Sequence, residues 1–189
     1  VLNVQGRADG VIVDEKEVKE GKYALPGLPA FYSCQEDTAH TLIITLKDTT
    51  NSVFVHLYYG VLEEKDIITR AVCIENKGDS PVYLDRVLSV CADFQYGEYD
   101  FISFYGRHAM ERLYSRTRVH HGVQAVGSTR GASSHHYNPF VVLADKNTTE
   151  TSGECYGFSF VYSGDFLAEA EKDQTGQTRV LMGIHPENF

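Results

Sequence analysis

Tryptophan is absent from the 189 residues, methionine occurs only twice and cysteine only four times. Cys34, Cys73, Cys91 and Cys155 stand far apart, so no CxxC pair is available for zinc binding or redox chemistry. Four cysteines in a chain of this length are also too few for a disulfide scaffold. The sequence therefore predicts scattered, buried free thiols in a reducing compartment, and a cytoplasmic location is the expectation.

Basic residues are also scarce, with 17 Lys and Arg against 26 Asp and Glu and a formal net charge of -9. Phosphate binding needs clustered Lys and Arg, and no such cluster occurs, so we expect no nucleic-acid partner. No apolar run approaches the ~18 residues that span a bilayer, and no secretory leader is visible, so no membrane partner is expected. The chain begins at Val1 rather than methionine, and we treat it as a fragment of a longer protein.

Apolar residues recur with a period of two along much of the chain, which is typical of half-buried β-strands. Strands are predicted for residues 41–46, 53–59, 68–74, 157–162 and 180–184. Turn-forming stretches rich in Gly, Asn, Asp and Ser separate them, and the spacing indicates an all-β sandwich or barrel. Only residues 108–116 fit a helix as well as a strand, because Met110, Leu113 and Tyr114 lie near a 3.6-residue spacing.

Histidine is the residue type that would hold a metal, but its spacing is unfavourable. His135 and His136 are adjacent, as are His120 and His121, and neighbouring side chains on an extended strand point to opposite faces. No HxH or HxxxH pair occurs among the eight histidines. We therefore predict no metal site and no cofactor.

Nucleophilic catalysis is not supported by the serines that precede His135. A hydroxyl and its base must approach within ~2.6–3.2 Å with a third group orienting the base, which residues adjacent in sequence rarely achieve. The GxSxG elbow of serine hydrolases is also absent.

Paired carboxylates are the remaining catalytic pattern, because retaining glycosidases use two carboxyl groups ~5–5.5 Å apart. Asp93, Glu98 and Asp100 crowd one turn, while Glu169 and Glu171 lie two apart on one strand face. Each also fits a solvated strand edge or a turn. The spacing of these residues in the sequence does not identify which two carboxylates would form a catalytic pair.

The stretch RGASSHHYNPF, residues 130–140, is the densest run of polar groups in the chain. One interpretation is a loop whose Ser133 and Ser134 satisfy its own backbone, closed by the turn at Asn138 before proline. The other is a docking surface for another domain or subunit, since loops on rigid scaffolds carry such contacts.

Four stretches resemble the N-terminal domain of glycoside hydrolase family 36 α-galactosidases. They are LPGLPAFY (25–32), GRHAMER (106–112), STRGASSHHYNPF (128–140) and the final 37 residues beginning GECYGFSF (153–189). The resemblance runs from about residue 23 to the last residue. His108 stands where the family commonly has tryptophan, and Asp165 where it often has asparagine.

The resemblance implies an all-β fold, a β-supersandwich of two large antiparallel sheets like galactose mutarotase, with residues 1–189 as a single sandwich domain. Such enzymes continue into a (β/α)₈ barrel, where two aspartates remove terminal α-linked galactose with retention, beside a Lys-Trp-Asp motif. This chain contains no tryptophan and is expected to stop before the barrel, so no catalytic residue is assigned.

The resemblance implies a supporting role for this chain, in which it packs on the barrel and helps assemble a homo-oligomer. The oligomer is tetrameric in many members of the family. We expect the interdomain contact to involve two polar stretches. Its candidate residues are Arg107, Glu111, Arg112, Arg130, Ser133, Ser134, His135 and Asn138. Two alternatives stay open: a stand-alone carbohydrate-binding module using some of the 12 tyrosines and 10 phenylalanines, and a purely structural interface domain.

Overall fold

The computed structural model describes the backbone of residues 12–18, 39–48 and 50–188. Antiparallel β-strands hold more than half of these residues, and the only helical elements among them are two single-turn 3-10 segments, Glu63–Lys65 and Pro186–Asn188. The predicted all-β class is therefore confirmed. In the part of the chain so described, no helix is long and apolar enough to cross a membrane. Cys34 and the LPGLPAFY stretch lie outside the described residues.

The chain divides into two compact units, Leu2–Leu84 and Asp85–Phe189. The first unit contains a four-stranded antiparallel sheet with its strands in chain order. The strands are β1 (Ile12–Val18), β2 (Ala39–Asp48), β3 (Val53–Leu62) and β4 (Ile67–Asn76). The strands predicted at 41–46, 53–59 and 68–74 are thereby confirmed.

Alternation along β3 explains why this sheet has two different faces. Val55, which is buried, lies opposite Leu46 on β2 and Ile74 on β4, so this face is apolar. His56 faces the other way, and its Nδ1 lies 2.9 Å from the Thr45 hydroxyl. The second face is therefore the more polar one.

The second unit contains eight strands, seven of which form two sheets. In chain order they are β5 (Val90–Phe94), β6 (Tyr99–Arg107), β7 (Met110–Arg118), β8 (Gly122–Ser128), β9 (Tyr137–Asp145), β10 (Cys155–Ser159), β11 (Phe166–Lys172) and β12 (Thr178–Ile184). One sheet has the order β10-β9-β6-β7 and the other β11-β12-β5. Strand β8 runs beside β11. The strand predicted at 180–184 is confirmed, whereas that at 157–162 ends at Ser159.

A single hydrophobic core lies between these two sheets. Val141 and Leu143 of β9 are fully buried, as are Phe166 of β11 and Val180 of β12, and all belong to one cluster. Alternate residues of each strand therefore point inward, as in a β-sandwich. The second unit is a two-layer sandwich.

The helical alternative for residues 108–116 is wrong. These residues form a hairpin with β6, in which Arg107 pairs with Met110 across a two-residue turn. Met110, Leu113 and Tyr114 are exposed, so their near-helical spacing marks no buried helix face. Pairing with β6 satisfies the backbone of β7, and tertiary context overrides the local pattern.

The prediction of buried thiols is also wrong for the three described cysteines. Cys73, Cys91 and Cys155 are free and exposed. Along β5, half-buried and exposed residues alternate, and Cys91 stands at an exposed position. For this cysteine the position on the strand, rather than the residue type, decides the exposure.

Close packing of β8 against β11 leads to a test of the fold. A Cβ added at Gly127 would lie 2.5 Å from the Phe166 carbonyl oxygen, so backbone must move. We expect Gly127→Ala to lower the free energy of unfolding of the purified chain by about 2–3 kcal/mol in urea denaturation.

Gly157→Ala is the matched control, because its new Cβ would meet only the edge of the Phe140 ring at 3.3 Å. That ring is partly exposed and can turn aside, so a loss below about 1 kcal/mol is expected. Equal losses in the two variants would contradict the packing of β8 on β11.

Candidate functional site

The two polar stretches predicted to form a contact lie at the same end of the β10-β9-β6-β7 sheet. Tyr105 near the end of β6 pairs with Tyr137 at the start of β9. Residues 107–112 follow Tyr105 and residues 130–136 precede Tyr137, so register places both stretches at this end. We call it the hairpin end of the sheet.

The first stretch forms the tip of the β6–β7 hairpin. Arg107, Glu111 and Arg112 are all exposed there. Gly106 faces two residues of β7 in a bulge, and a Cβ at this glycine would lie 2.4 Å from the Met110 carbonyl oxygen.

Two non-glycine residues of this tip have left-handed backbone conformations, Ala109 with φ 61° and Arg112 with φ 60°. Positive φ values are sterically unfavourable for residues other than glycine. The Ala109 N–H donates to Glu111 Oε1 at 2.9 Å, which supports the turn. The hairpin therefore holds exposed charged groups on a backbone with local strain.

The second stretch is anchored to the body of the unit through its backbone. The Ser128 hydroxyl donates to the Ala132 carbonyl at 2.8 Å, and the Ser133 N–H donates to the Ser163 carbonyl at 2.9 Å. The buried Asp165 carboxylate accepts the Gly131 N–H at 2.6 Å. An asparagine oxygen can accept the same bond, so aspartate at this position keeps the anchor.

The outer part of this stretch is a tight turn that presents two histidines. Ser134 forms a bridge with Tyr137, and the His136 N–H donates to the Ser134 hydroxyl at 3.2 Å. The His135 and His136 rings are stacked with centroids 4.8 Å apart, so the expectation that they point apart is wrong. That rule applies to strands, and these residues lie in a turn.

Of the other predicted residues, Arg130 is exposed and its N–H lies 3.4 Å from the Ser128 hydroxyl, while Asn138 is half-buried on β9. Ser133 and Ser134 are half-buried as well. The hydrogen bonds of the stretch fit the first interpretation, and the docking surface stays a prediction. Its serines satisfy the loop backbone, and Arg130 and His135 remain at the surface.

Asp100 is the most deeply placed of the candidate carboxylates, with a residue exposure of 7%. Arg116 Nε donates to its Oδ2 and Arg118 Nε to its Oδ1, each at 2.7 Å. Burial raises the pKa of Asp100, but hydrogen bonds from Arg118 and Arg116 outweigh it and lower this pKa below its ordinary value. The carboxylate stays ionised at neutral pH.

The neighbouring carboxylates are also paired with cations. Arg179 donates to both oxygens of Asp93, at 2.5 and 2.8 Å, and this hydrogen-bonded pairing lowers the pKa of Asp93. A hydrogen bond from Lys146 lowers the pKa of Glu98. Glycosidic bond cleavage needs one carboxyl group with a raised pKa to act as acid, and neither residue has one.

The second candidate pair, Glu169 and Glu171, lies on β11 as predicted. Glu169 forms an ion pair with Arg86. Glu171 lines an open depression of about 560 Å³ together with His121, Lys172 and Asp173. No phenylalanine or tyrosine lines this depression, so it lacks the ring on which a sugar stacks.

Metal ligands do not converge in the described part of the chain. No group of three or more His, Cys, Asp or Glu side chains among residues 12–18, 39–48 and 50–188 is arranged to hold an ion. The described residues thus form an exposed polar end of the sheet, and the Asp93, Glu98 and Asp100 carboxylates are each paired with a cation.

Comparisons of the sequence with known proteins all point to one family. Residues 6–189 match the family model described as Glycosyl hydrolase family 36 N-terminal domain. The chain is 54% identical over 173 residues to the bifunctional alpha-galactosidase/sucrose kinase AgaSK of Mediterraneibacter gnavus, covering 92% of this chain and 18% of that protein. It is 48% identical over 172 residues to the alpha-galactosidase AgaA of Geobacillus stearothermophilus, covering 91% and 24%.

Comparison with solved structures points to the same family. The galactosidase domain of AgaSK superposes with a TM-score of 0.84 at 51% identity, covering 95% of this chain and 25% of that one. The crystal structure of AgaA from Geobacillus stearothermophilus gives 0.82 at 46% identity, covering 94% and 25%. The chain therefore spans a quarter or less of the length of these relatives.

Pairing of Asp100 with two arginines predicts a pH-dependent contribution to stability. We expect Asp100→Asn to lower the free energy of unfolding of the chain by about 2–4 kcal/mol at pH 7. Because the folded-state pKa of Asp100 is lowered, the contribution is present above its ordinary value of 3.8 and is lost as pH falls below it.

Urea denaturation at a series of pH values checks this, with Asp85→Asn as the control because Asp85 is exposed. The difference between wild type and Asp100→Asn should shrink below pH 3.8, and Asp85→Asn should show no such difference. A difference that stays constant down to the lowest pH would refute the assignment.

Proposed function

Because the chain belongs to glycoside hydrolase family 36 as its N-terminal domain, we propose that it is the non-catalytic part of an α-galactosidase. The full-length protein would hydrolyse terminal α-D-galactosyl residues with retention of configuration. The relatives carry the name alpha-galactosidase, and this domain is the smaller part of each. No cofactor is required for this chemistry.

The observation that carries the non-catalytic role is the state of the carboxylates. Asp93, Glu98 and Asp100 all have lowered pKa values because each is paired with a cation. A general acid for glycoside cleavage needs a proton near neutral pH, which these groups do not hold. Bond cleavage is therefore assigned to another part of the full-length protein.

The second part of the proposal is packing on a catalytic barrel and assembly of a homo-oligomer. It is supported by the hairpin end of the sheet, where Arg107, Glu111, Arg112, Arg130 and His135 are exposed on a firmly anchored scaffold. Arginine is enriched at protein interfaces and their rims are polar, so these exposed groups fit the rim of a contact with a neighbouring domain or subunit. A tetramer is the arrangement that the family resemblance suggests.

An activity assay on the chain alone and on the full-length protein tests the non-catalytic role. The purified 189-residue chain should release no product from a chromogenic α-galactoside, whereas the full-length protein should release it readily. Titration of the chain with galactose, melibiose and raffinose should show no saturable binding. Turnover by the chain alone would sink the proposal, and saturable sugar binding would favour a carbohydrate-binding module instead.

Substitution at the hairpin end tests the packing role. In the full-length protein, Arg130→Ala combined with His135→Ala should weaken domain packing by about 1–2 kcal/mol, the usual range for interface contacts that matter. Thermal unfolding and turnover measure the effect. His120→Ala is the control, since this exposed histidine lies beyond the other end of β7, and it should change neither.

Unchanged stability and unchanged turnover in the double variant would remove the contact role of these two residues. The proposal of a non-catalytic domain would survive that result, because it rests on the carboxylates.

A further inference from the structure

An exposed apolar row crosses three neighbouring strands at the hairpin end. Tyr137 of β9 pairs with Tyr105 of β6, which pairs with Leu113 of β7. Directly paired residues of antiparallel strands point to the same face, with Cβ atoms about 4.5–5.5 Å apart. The three side chains are 46%, 41% and 39% exposed. We call them the Tyr105 row.

This row continues the core face of the sheet past the end of the core. Phe101 lies four residues before Tyr105 on β6, on the same face, and is paired with the fully buried Leu143. The opposing sheet covers Phe101 and Leu143, which belong to the core cluster. It leaves Tyr105 uncovered, so apolar surface that resembles core is open to solvent.

The surroundings of the row resemble the rim of a protein interface. Arg107 and Met110 pair beside it at the hairpin tip, and the Arg107 guanidinium lies 3.0 Å from the Met110 sulfur. Interface cores are enriched in Tyr, Met and Arg and surrounded by polar groups. Leu113 and Met110 have no aromatic ring on which a sugar could stack. These side chains therefore favour a protein partner over a carbohydrate.

The share of the solved relatives that this chain covers indicates a partner. The His185 N–H, directly after β12, donates to the Asp165 carbonyl at 3.3 Å, and the Asp165 carboxylate holds Gly131 of the loop at the hairpin end. In the solved relatives, about three quarters of the chain lies outside the region matched by this domain. That remainder is the candidate occupant attached to the same polypeptide.

We propose that the Tyr105 row is the docking surface for the catalytic part of the same full-length polypeptide. The inference rests on the proposed function, and it adds the apolar centre to a contact so far described only by its charges. A partner surface that fits is apolar in the middle and carries both signs of charge around it, to meet Glu111 and Arg112.

Hydroxyl-radical footprinting of the full-length protein tests the proposal, because it measures the solvent access of individual tyrosines. Tyr96, which is 86% exposed in the same unit, is the internal reference. Without docking, Tyr105 should react only about twofold more slowly, since 86% is about twice 41%. With docking, Tyr105 and Tyr137 should react more than about fivefold more slowly, as desolvated interface centres do.

Dilution identifies the occupant. Protection of Tyr105 and Tyr137 should be the same in oligomeric and in diluted, monomeric protein, because the occupant is in the same chain. Protection that disappears on dilution would overturn the proposal and assign the row to a second copy. A twofold difference at every concentration would overturn it as well.

An activity assay on the same preparation separates this inference from the proposed function. An active α-galactosidase with an unprotected Tyr105 row refutes the docking surface alone. A protected row in a protein without α-galactosidase activity supports docking within one polypeptide and refutes the proposed function.

Tyr105→Ala and its matched control Tyr96→Ala give a second measurement. Removing Tyr105 should lower the unfolding midpoint of the full-length protein by about 2–4 °C and raise the footprinting rate of Tyr137. The control should shift the midpoint by less than about 1 °C, since Tyr96 is 86% exposed. Equal behaviour of the two variants would contradict the docking surface.

Discussion

Asp100 and its two arginines are the interaction on which the second unit depends. Arg116 donates to Asp100 through Nε and to the Thr148 carbonyl through Nη1, each at 2.7 Å. One guanidinium therefore ties β6, β7 and the connection between β9 and β10. A buried carboxylate is tolerated only when it is paired in this way. Because β7 and β9 both pair with β6, this cluster also helps fix the register that brings Tyr105 beside Leu113.

The same cluster is the main support for the proposal that this domain performs no chemistry. A carboxylate held between guanidinium groups cannot lend a proton near neutral pH, and Asp93 and Glu98 are held by cations as well. Their charges stabilise strand pairing. The chain belongs to the glycoside hydrolase family 36 N-terminal domains, and in the proposed role it is a scaffold whose exposed end meets the remainder of a longer polypeptide.

Alternating apolar residues in the sequence predicted some strands and missed others. β3 and β12 were recognised in this way, whereas β6 and β9, which also lie inside a sheet, were not. β7 stands at the edge of its sheet as described and is almost wholly exposed, so no burial signal distinguishes it from a helix. Residues 160–162 read as strand, yet the ladder of β10 ends at Ser159, after which the Phe160 N–H still bonds to the Pro139 carbonyl. The polar stretch at 130–138 was recognisable from its composition. The Tyr105 row was not, because its residues lie far apart in the chain and only strand register joins them.

The pairing of Asp93, Glu98 and Asp100 with cations commits these three carboxylates to the fold. Titration of the Asp100 side-chain carboxyl carbon by NMR tests it most directly. We expect a pKa of Asp100 below the ordinary aspartate value of 3.8, with no titration step near neutral pH. A pKa of about 6, such as a general acid of glycoside hydrolysis shows, would contradict it.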